Sequence, residues 1–186
     1  MSAKSVTGEG GISPLLQGSF DNLCSLYSIV NGVRLALLPL QLSKTQSRAL
    51  FNRGMHFLEN EECGEVVRLG LNAKDWHRVA RHLFDYLDDK NIADLKGGKT
   101  AFRLMPEDLG AAIEMVERAV ARGTPVAIEL KKAWNHYTVV AGVDADAWRL
   151  FDSHGHKRVK KSALGLSGSG ARHELGARAI LFMPRF

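Results

Sequence analysis

Cysteine is scarce in this sequence: two of its 186 residues are cysteines, Cys24 and Cys63. Two thiols cannot build the disulfide framework on which small secreted domains depend, and their presence fits a reducing compartment. Long apolar runs are also absent, so no membrane contact is expected. The N-terminal residues lack the apolar core of a secretory signal, and we interpret 1–14 as a flexible segment before a single domain at 15–186. These absences favour a cytoplasmic protein and leave delivery as a secreted effector open.

Negative charge is scarce in the last third of the chain. Residues 1–122 carry 15 basic and 15 acidic side chains, whereas residues 123–186 carry 10 basic and 5 acidic ones. The excess is concentrated in one run: Lys157, Arg158, Lys160 and Lys161. This run predicts either a solvated strand or a surface for an acidic partner. No aromatic residues are interleaved with these cations, so nucleic-acid binding is not expected.

The apolar residues are patterned first as helices and then as strands. Helical spacing predicts one helix near Cys24 and others at about 43–60, 73–89 and 106–122, the last with Pro106 in its first position. Short apolar runs bounded by turns predict strands at 100–104, 125–130, 136–143, 147–152 and 177–183. Residues 162–176, rich in glycine and serine, are predicted to be a mobile loop. Helices followed by strands indicate an α+β domain.

A polar, turn-forming stretch runs directly into an apolar helical pattern, and Cys24 lies at the junction. The stretch is residues 17–32, QGSFDNLCSLYSIVNG, in which Asp21 or Asn22 is a natural N-cap. Cys24 is therefore expected in the first turn of a largely buried helix, where free N–H groups and the helix dipole favour a thiolate. The thiolate is the nucleophilic form of cysteine, so Cys24 is a candidate nucleophile, with a buried structural cysteine as the alternative. Cys63 lies among acidic neighbours, and we interpret it as structural or incidental.

His136 begins one predicted strand, and Asp152 ends the next. If these strands pair as a hairpin, their far ends meet and the two residues lie side by side at one edge of the sheet. A carboxylate bonded to one imidazole nitrogen fixes the tautomer and leaves the other nitrogen to face a thiol. Gln17, seven residues before Cys24, can supply a side-chain N–H to an oxyanion, and the Cys24 backbone a second. Trp134 is a candidate to shield the imidazole or to line a cleft, with a plain core or lid role as the alternative.

The chain order of these residues resembles that of papain-like cysteine peptidases: a Gln, a Cys at a helix start, a His opening a strand and an Asp closing the next. The likeness is closer to the compact bacterial branch, which includes bacteriocin-leader peptidases attached to ABC transporters and related effector deamidases. The matching pieces are residues 17–32, 123–130 and 135–155. The last predicted strand also fits the family's sheet.

The sequence departs from the family pattern at three places. In most members the Gln lies six residues before the Cys, against seven here, so Ser19 or Asn22 is an alternative oxyanion donor. Ser25 follows the candidate nucleophile where many relatives carry Gly. Ser153 follows the candidate Asp where the leader peptidases commonly carry Pro.

The resemblance implies a papain-like fold, with the nucleophile on the first buried helix packed on a C-terminal antiparallel sheet. It implies a thiol hydrolase that cleaves a peptide or protein amide bond through a thioester and needs neither a metal ion nor a cofactor. Cys24 would be the nucleophile and His136 the acid and base. Asp152 would orient the ring, and Gln17 would help to bind the oxyanion. Two alternatives stay open: a deamidase of protein glutamine side chains, and a non-enzymatic binding module on the same scaffold.

Overall fold

The computed structural model describes residues 12–18, 21–38, 40, 42–60, 70–90, 92 and 101–182. These residues form four α-helices: α1 (Cys24–Ala36), α2 (Lys44–Asn60), α3 (Ala73–Asp89) and α4 (Leu109–Ala121). They also form seven strands: β1 (Ala101–Leu104), β2 (Val126–Lys132), β3 (His136–Val143), β4 (Ala147–Phe151), β5 (Arg158–Lys160), β6 (Leu164–Gly165) and β7 (His173–Leu181). The predicted α+β class is confirmed. Ser19, Cys63 and residues 1–11 of the predicted flexible segment lie outside the described residues.

The strands form one sheet in the order β1-β7-β2-β3-β4-β5, and each neighbouring pair in that order is antiparallel. The short β6 lies off this path and pairs with β7 in parallel. β3 has both of its predicted ends, because a tight turn fixes each one. Before it, Asn135 has a φ of 45°, a left-handed conformation that Asn adopts more readily than most residues. After it, the Asp144 N–H donates to the Ala147 carbonyl at 2.8 Å.

Helices cover both faces of the sheet. On one face, α1 packs against β3 and α3 packs against β7, while α2 packs on these two helices. Tyr137, Val139 and Ala141 of β3 belong to this larger core. On the other face, α4 packs against a smaller core that includes Val140. Successive residues of β3 therefore serve different cores, as the alternation of side chains along a strand requires.

α1 is buried almost all round, because it lies between the sheet and the two helices α2 and α3. Leu26, Ile29 and Val30 are 0% exposed, and burying each such side chain stabilises the fold by about 1.5–3 kcal/mol. Gly32 allows the helix to approach the sheet closely, since a Cβ there would lie 2.2 Å from the Phe182 ring. α1 thus has one position against the sheet, and Cys24 at its start has a defined place.

Two local predictions are wrong in part. The helix predicted from Pro106 begins instead at Leu109, because the Asp108 side chain accepts the Ala111 N–H at 2.7 Å and caps it. The segment 162–176 contains β6 and the first residues of β7, which pair with β2.

Among the helices that the structure describes, none is both long enough and apolar enough to cross a membrane.

Candidate active site

Cys24 lies in the first turn of α1, as the sequence predicts, and is its first residue, but the predicted N-cap is wrong. The N-cap is Leu23, which makes no side-chain capping bond, rather than Asp21 or Asn22. Asp21 closes the preceding turn instead, because its two carboxylate oxygens accept the N–H groups of Gly18 and Leu23, each at 3.2 Å. The backbone that leads into Cys24 is therefore fixed by a carboxylate just outside the helix.

The first turn of α1 is also held from α3. The indole N–H of Trp76 donates to the Ser25 carbonyl at 3.0 Å and lies 3.1 Å from the Ser28 hydroxyl. The Ser28 hydroxyl donates in turn to the same carbonyl at 2.7 Å. All three residues are buried, so this network holds the turn that carries Cys24.

The chain before α1 is tied to the helix on one side and to the turn after β4 on the other. Asn31, which is 0% exposed, binds both backbone groups of Leu15: Oδ1 accepts the N–H at 2.8 Å, and Nδ2 donates to the carbonyl at 3.1 Å. Two residues later, the Gln17 N–H donates to the Ser153 carbonyl at 2.9 Å. Gln17 is therefore held beside the residue that follows Asp152.

The side chain of Gln17 is already hydrogen-bonded within the turn before α1. Its Nε2 donates to the Asp21 carbonyl, and its Oε1 is buried without a hydrogen-bond partner. A carboxamide nitrogen carries two hydrogens, so one remains for a further acceptor. The predicted oxyanion role of Gln17 stays a prediction.

The predicted meeting of His136 and Asp152 is confirmed. His136 Nε2 lies 2.7 Å from Asp152 Oδ2, and neither side chain is more than 1% exposed. The other carboxylate oxygen accepts the backbone N–H groups of His154 and His156 at 2.9 and 3.0 Å. Because an ionised carboxylate only accepts, Nε2 carries the shared proton. The opposite nitrogen, Nδ1, is buried and has no hydrogen-bond partner.

The imidazole of His136 is biased towards its charged form. Burial lowers its pKa, but the hydrogen bond to Asp152 and the neighbouring Cys24 side chain together outweigh burial and raise the pKa to about 9. Burial raises the pKa of Asp152, whereas the bond from His136 holds it below its ordinary value. At neutral pH the pair is therefore an imidazolium and a carboxylate. Since Nε2 is occupied, Nδ1 is the nitrogen left to interact with Cys24.

The register of the β3–β4 hairpin explains how these side chains meet. Val139 pairs with Phe151. His136 lies three residues before Val139 on β3, and Asp152 directly follows the end of β4, so the two side chains meet at this end of the hairpin. His154 lies in the turn that follows, and its ring stacks on that of His136, with the centroids of the two imidazoles 4.4 Å apart and their planes at 15°. No local sequence signal places the ring of His154 on that of His136.

Of the roles open to Trp134, a core role is the one that the structure supports, because its partly buried ring packs against the smaller core. It stacks on His156, with ring centroids 4.0 Å apart, and its centroid lies 4.3 Å from that of His173. The ring that covers His136 is that of His154. Among the described residues, no group of three or more His, Cys, Asp or Glu side chains is arranged to hold a metal ion.

Half of the predicted basic run is paired within the chain. Arg158 lies 3.0 Å from Asp146, and Lys161 lies 2.6 Å from Glu117. These pairs lower the net positive charge that the run offers to an acidic partner, which stays a prediction.

Comparisons of the chain with protein-family models, with curated proteins and with solved structures found no match. The papain-like resemblance therefore stays a prediction, and the chemistry of the site has to be inferred from its own geometry.

Proposed function

We propose that this chain is a papain-like cysteine hydrolase that cleaves a peptide or protein amide bond through a thioester. The observation that supports this most strongly is the buried His136, bound through Nε2 to Asp152 at 2.7 Å while Nδ1 has no partner. Cys24 is close enough to raise the pKa of that ring. A cysteine that begins a helix beside an imidazolium is in the environment that favours a nucleophilic thiolate.

Acylation begins when the Cys24 thiolate attacks the carbonyl carbon and forms a carbon–sulfur bond, while an electron pair moves onto the carbonyl oxygen. The proposed donors to this oxyanion are the Cys24 backbone N–H and the remaining amide hydrogen of Gln17. His136 then gives its Nδ1 proton to the amide nitrogen as the carbon–nitrogen bond breaks. The amine leaves, and the products are a thioester and a neutral imidazole.

Deacylation reverses the direction of proton transfer. Neutral His136 takes a proton from water through Nδ1, and the hydroxide adds to the thioester carbonyl. The carbon–sulfur bond breaks, the carboxylic acid leaves, and the thiolate and imidazolium are restored. Asp152 holds the Nε2 proton throughout, so the same nitrogen faces the reaction in both steps.

Peptide hydrolysis fits this edge of the sheet better than deamidation. A main-chain amine needs a cleft that is open on both sides of the bond, whereas ammonia needs only a pocket. Ala133 and Asn135, in the turn before β3, are exposed, and so is His154. These exposed residues flank the buried ring of His136, and we therefore favour a peptide substrate.

The experiment compares the wild type with Cys24→Ser, which keeps a similar shape but has no thiol. Each protein is incubated with candidate protein substrates, and the intact masses of the substrates are measured. Shorter fragments made only by the wild type are expected. A mass gain equal to an amide-to-acid exchange, without fragments, would identify a deamidase. No product, together with tight binding by both proteins, would identify a binding module.

A further inference from the structure

The rings of His136 and His154 are stacked and share one anchor. Their centroids are 4.4 Å apart and their planes are nearly parallel, at 15°. Asp152 Oδ2 accepts the ring N–H of His136 at 2.7 Å, and Oδ1 accepts the backbone N–H of His154 at 2.9 Å. A single carboxylate therefore sets the positions of both histidines.

The turn that carries His154 closes around this carboxylate. Gly155 has a φ of 82°, a conformation that residues with side chains rarely adopt, and its N–H donates to the Asp152 carbonyl at 3.2 Å. The His156 N–H adds a bond to Oδ1 at 3.0 Å. The turn returns the chain over the start of β3, where His154 meets the face of His136.

His154 covers a ring that is otherwise enclosed. His136 is 1% exposed, whereas His154 is exposed to solvent. The bond from Nε2 to Asp152 fixes one end of the His136 ring but does not by itself prevent the ring from tilting about that bond. A flat ring stacked on its face opposes the tilt and keeps Nδ1 directed towards Cys24.

We propose that His154 is a positioning residue for His136. Neutral His154 holds the ring of His136 in place, and protonated His154 releases it. The inference rests on the proposed function, because it concerns the same proton donor. His136 is already an imidazolium at the pH where His154 takes up its proton. Two positive rings at this separation repel each other, and the stack opens.

The groups that face His154 come from three parts of the chain. They are His136 from β3, Asp152 and His156 from its own turn, and Asp21 from the segment before α1. Burial and the charge of His136, with a smaller effect of His156, lower the pKa of His154 below 6.5 and outweigh the two carboxylates. The stack is therefore intact at neutral pH and opens as the solution becomes acidic.

Two variants distinguish the effect of the His154 ring from the effect of its charge. His154→Phe keeps a flat ring that cannot be protonated, and His154→Ala removes the ring. The measurement is the rate at which iodoacetamide alkylates Cys24 across acidic and neutral pH, expressed as a ratio to the wild-type rate at the same pH. The control is His56→Phe, which makes the same substitution at an exposed histidine on α2.

Near neutral pH, His154→Ala should react about tenfold more slowly than wild type, while His154→Phe stays within about threefold, because only the alanine loses the positioning contact. In acid the wild-type rate should fall to that of His154→Ala, and His154→Phe should exceed both. Ratios that do not change with pH, or equal losses in both variants, would overturn the inference.

A second readout does not depend on reactivity. The imidazole C–H signal of His136, followed by NMR against pH, should respond once at its own pKa and once more as His154 titrates. The second response should disappear in His154→Phe. If Cys24 reacts slowly in every protein while His136 still responds to His154, the proposed function fails and this inference stands. If the second response is absent from the wild type, the inference is wrong whatever the reactivity.

Discussion

Asp152→Asn tests how strongly charge at the site is coupled to stability, because the asparagine keeps the shape and one acceptor oxygen. The carboxylate it replaces is the first of the groups that raise the pKa of His136 to about 9. A rise from 6.5 to about 9 corresponds to on the order of 3 kcal/mol of preference for the folded, protonated state. Cys24 contributes to the same rise, so Asp152 accounts for only part of this energy.

The direction in which the free energy of unfolding changes with pH follows from the raised pKa of His136. Because the pKa of His136 is raised in the folded state, its contribution to stability is complete below pH 6.5 and is lost as the pH rises through about 9. The free energy of unfolding of the wild type should therefore decrease across this window. In Asp152→Asn the charge partner is gone and burial opposes protonation, so the decrease should be smaller.

The assay is urea denaturation followed by circular dichroism at several pH values between 6.5 and 9. Asp146→Asn is the matched control, since it makes the same chemical change at an exposed carboxylate paired with Arg158. Asp152→Ala should lose more stability than Asp152→Asn, because three N–H groups lose their acceptor. Parallel curves for the wild type and Asp152→Asn would show that the buried charge pair does not form.

Gln17→Ala should lower turnover by about 10²–10³-fold if the side chain supplies an oxyanion donor, with little change in melting temperature. A loss below about threefold would assign that role to Asn22 or to the backbone alone. Asn31→Ala should reduce the free energy of unfolding by about 1–3 kcal/mol in urea titrations, because both backbone groups of Leu15 lose their partner. Asn31→Asp should restore only the acceptor for the Leu15 N–H. Equal stability of the wild type, Asn31→Ala and Asn31→Asp would show that Asn31 does not hold Leu15. Turnover by the wild type should fall as the pH rises through about 9, because His136 then loses the proton that it donates; a rate that stays level well above that pH would exclude it as the acid.

Local sequence signals were sufficient wherever a short turn joins neighbouring elements. The bounds of β3 and of α3 agree with the prediction. The side-by-side placement of His136 and Asp152 follows from a three-residue connection between two strands, which leaves the hairpin one way to close. The placement of Cys24 in the first turn of α1 could likewise be predicted from the change from polar to apolar pattern.

The remaining features depend on contacts that are distant in sequence or on competition between neighbours. Asp108 and Pro106 both suit a helix start, and only the bond to the Ala111 N–H shows that the aspartate prevails. The beginning of β7 is stabilised by its ladder with β2, as in the pairing of Lys131 with Glu174. The stacking of His154 on His136 depends on how β3 and β4 are aligned. A bulge between Val140 and Gly142 shifts that alignment, and local composition does not encode the bulge.

The most direct test of the central proposal is the rate of alkylation of Cys24 by iodoacetamide near neutral pH, with Cys63 as the internal reference and peptide mapping as the readout. The proposal predicts that Cys24 reacts much faster than Cys63 in the wild type. His136→Ala should abolish that difference while the circular dichroism spectrum is retained. His136→Gln, which can still donate an N–H to Asp152, is the matched variant that keeps the buried carboxylate paired and should also lose the fast reaction. Equal labelling of the two cysteines in the wild type, or fast labelling of Cys24 that persists in both His136 variants, would contradict the assignment of Cys24 and His136 as nucleophile and proton donor.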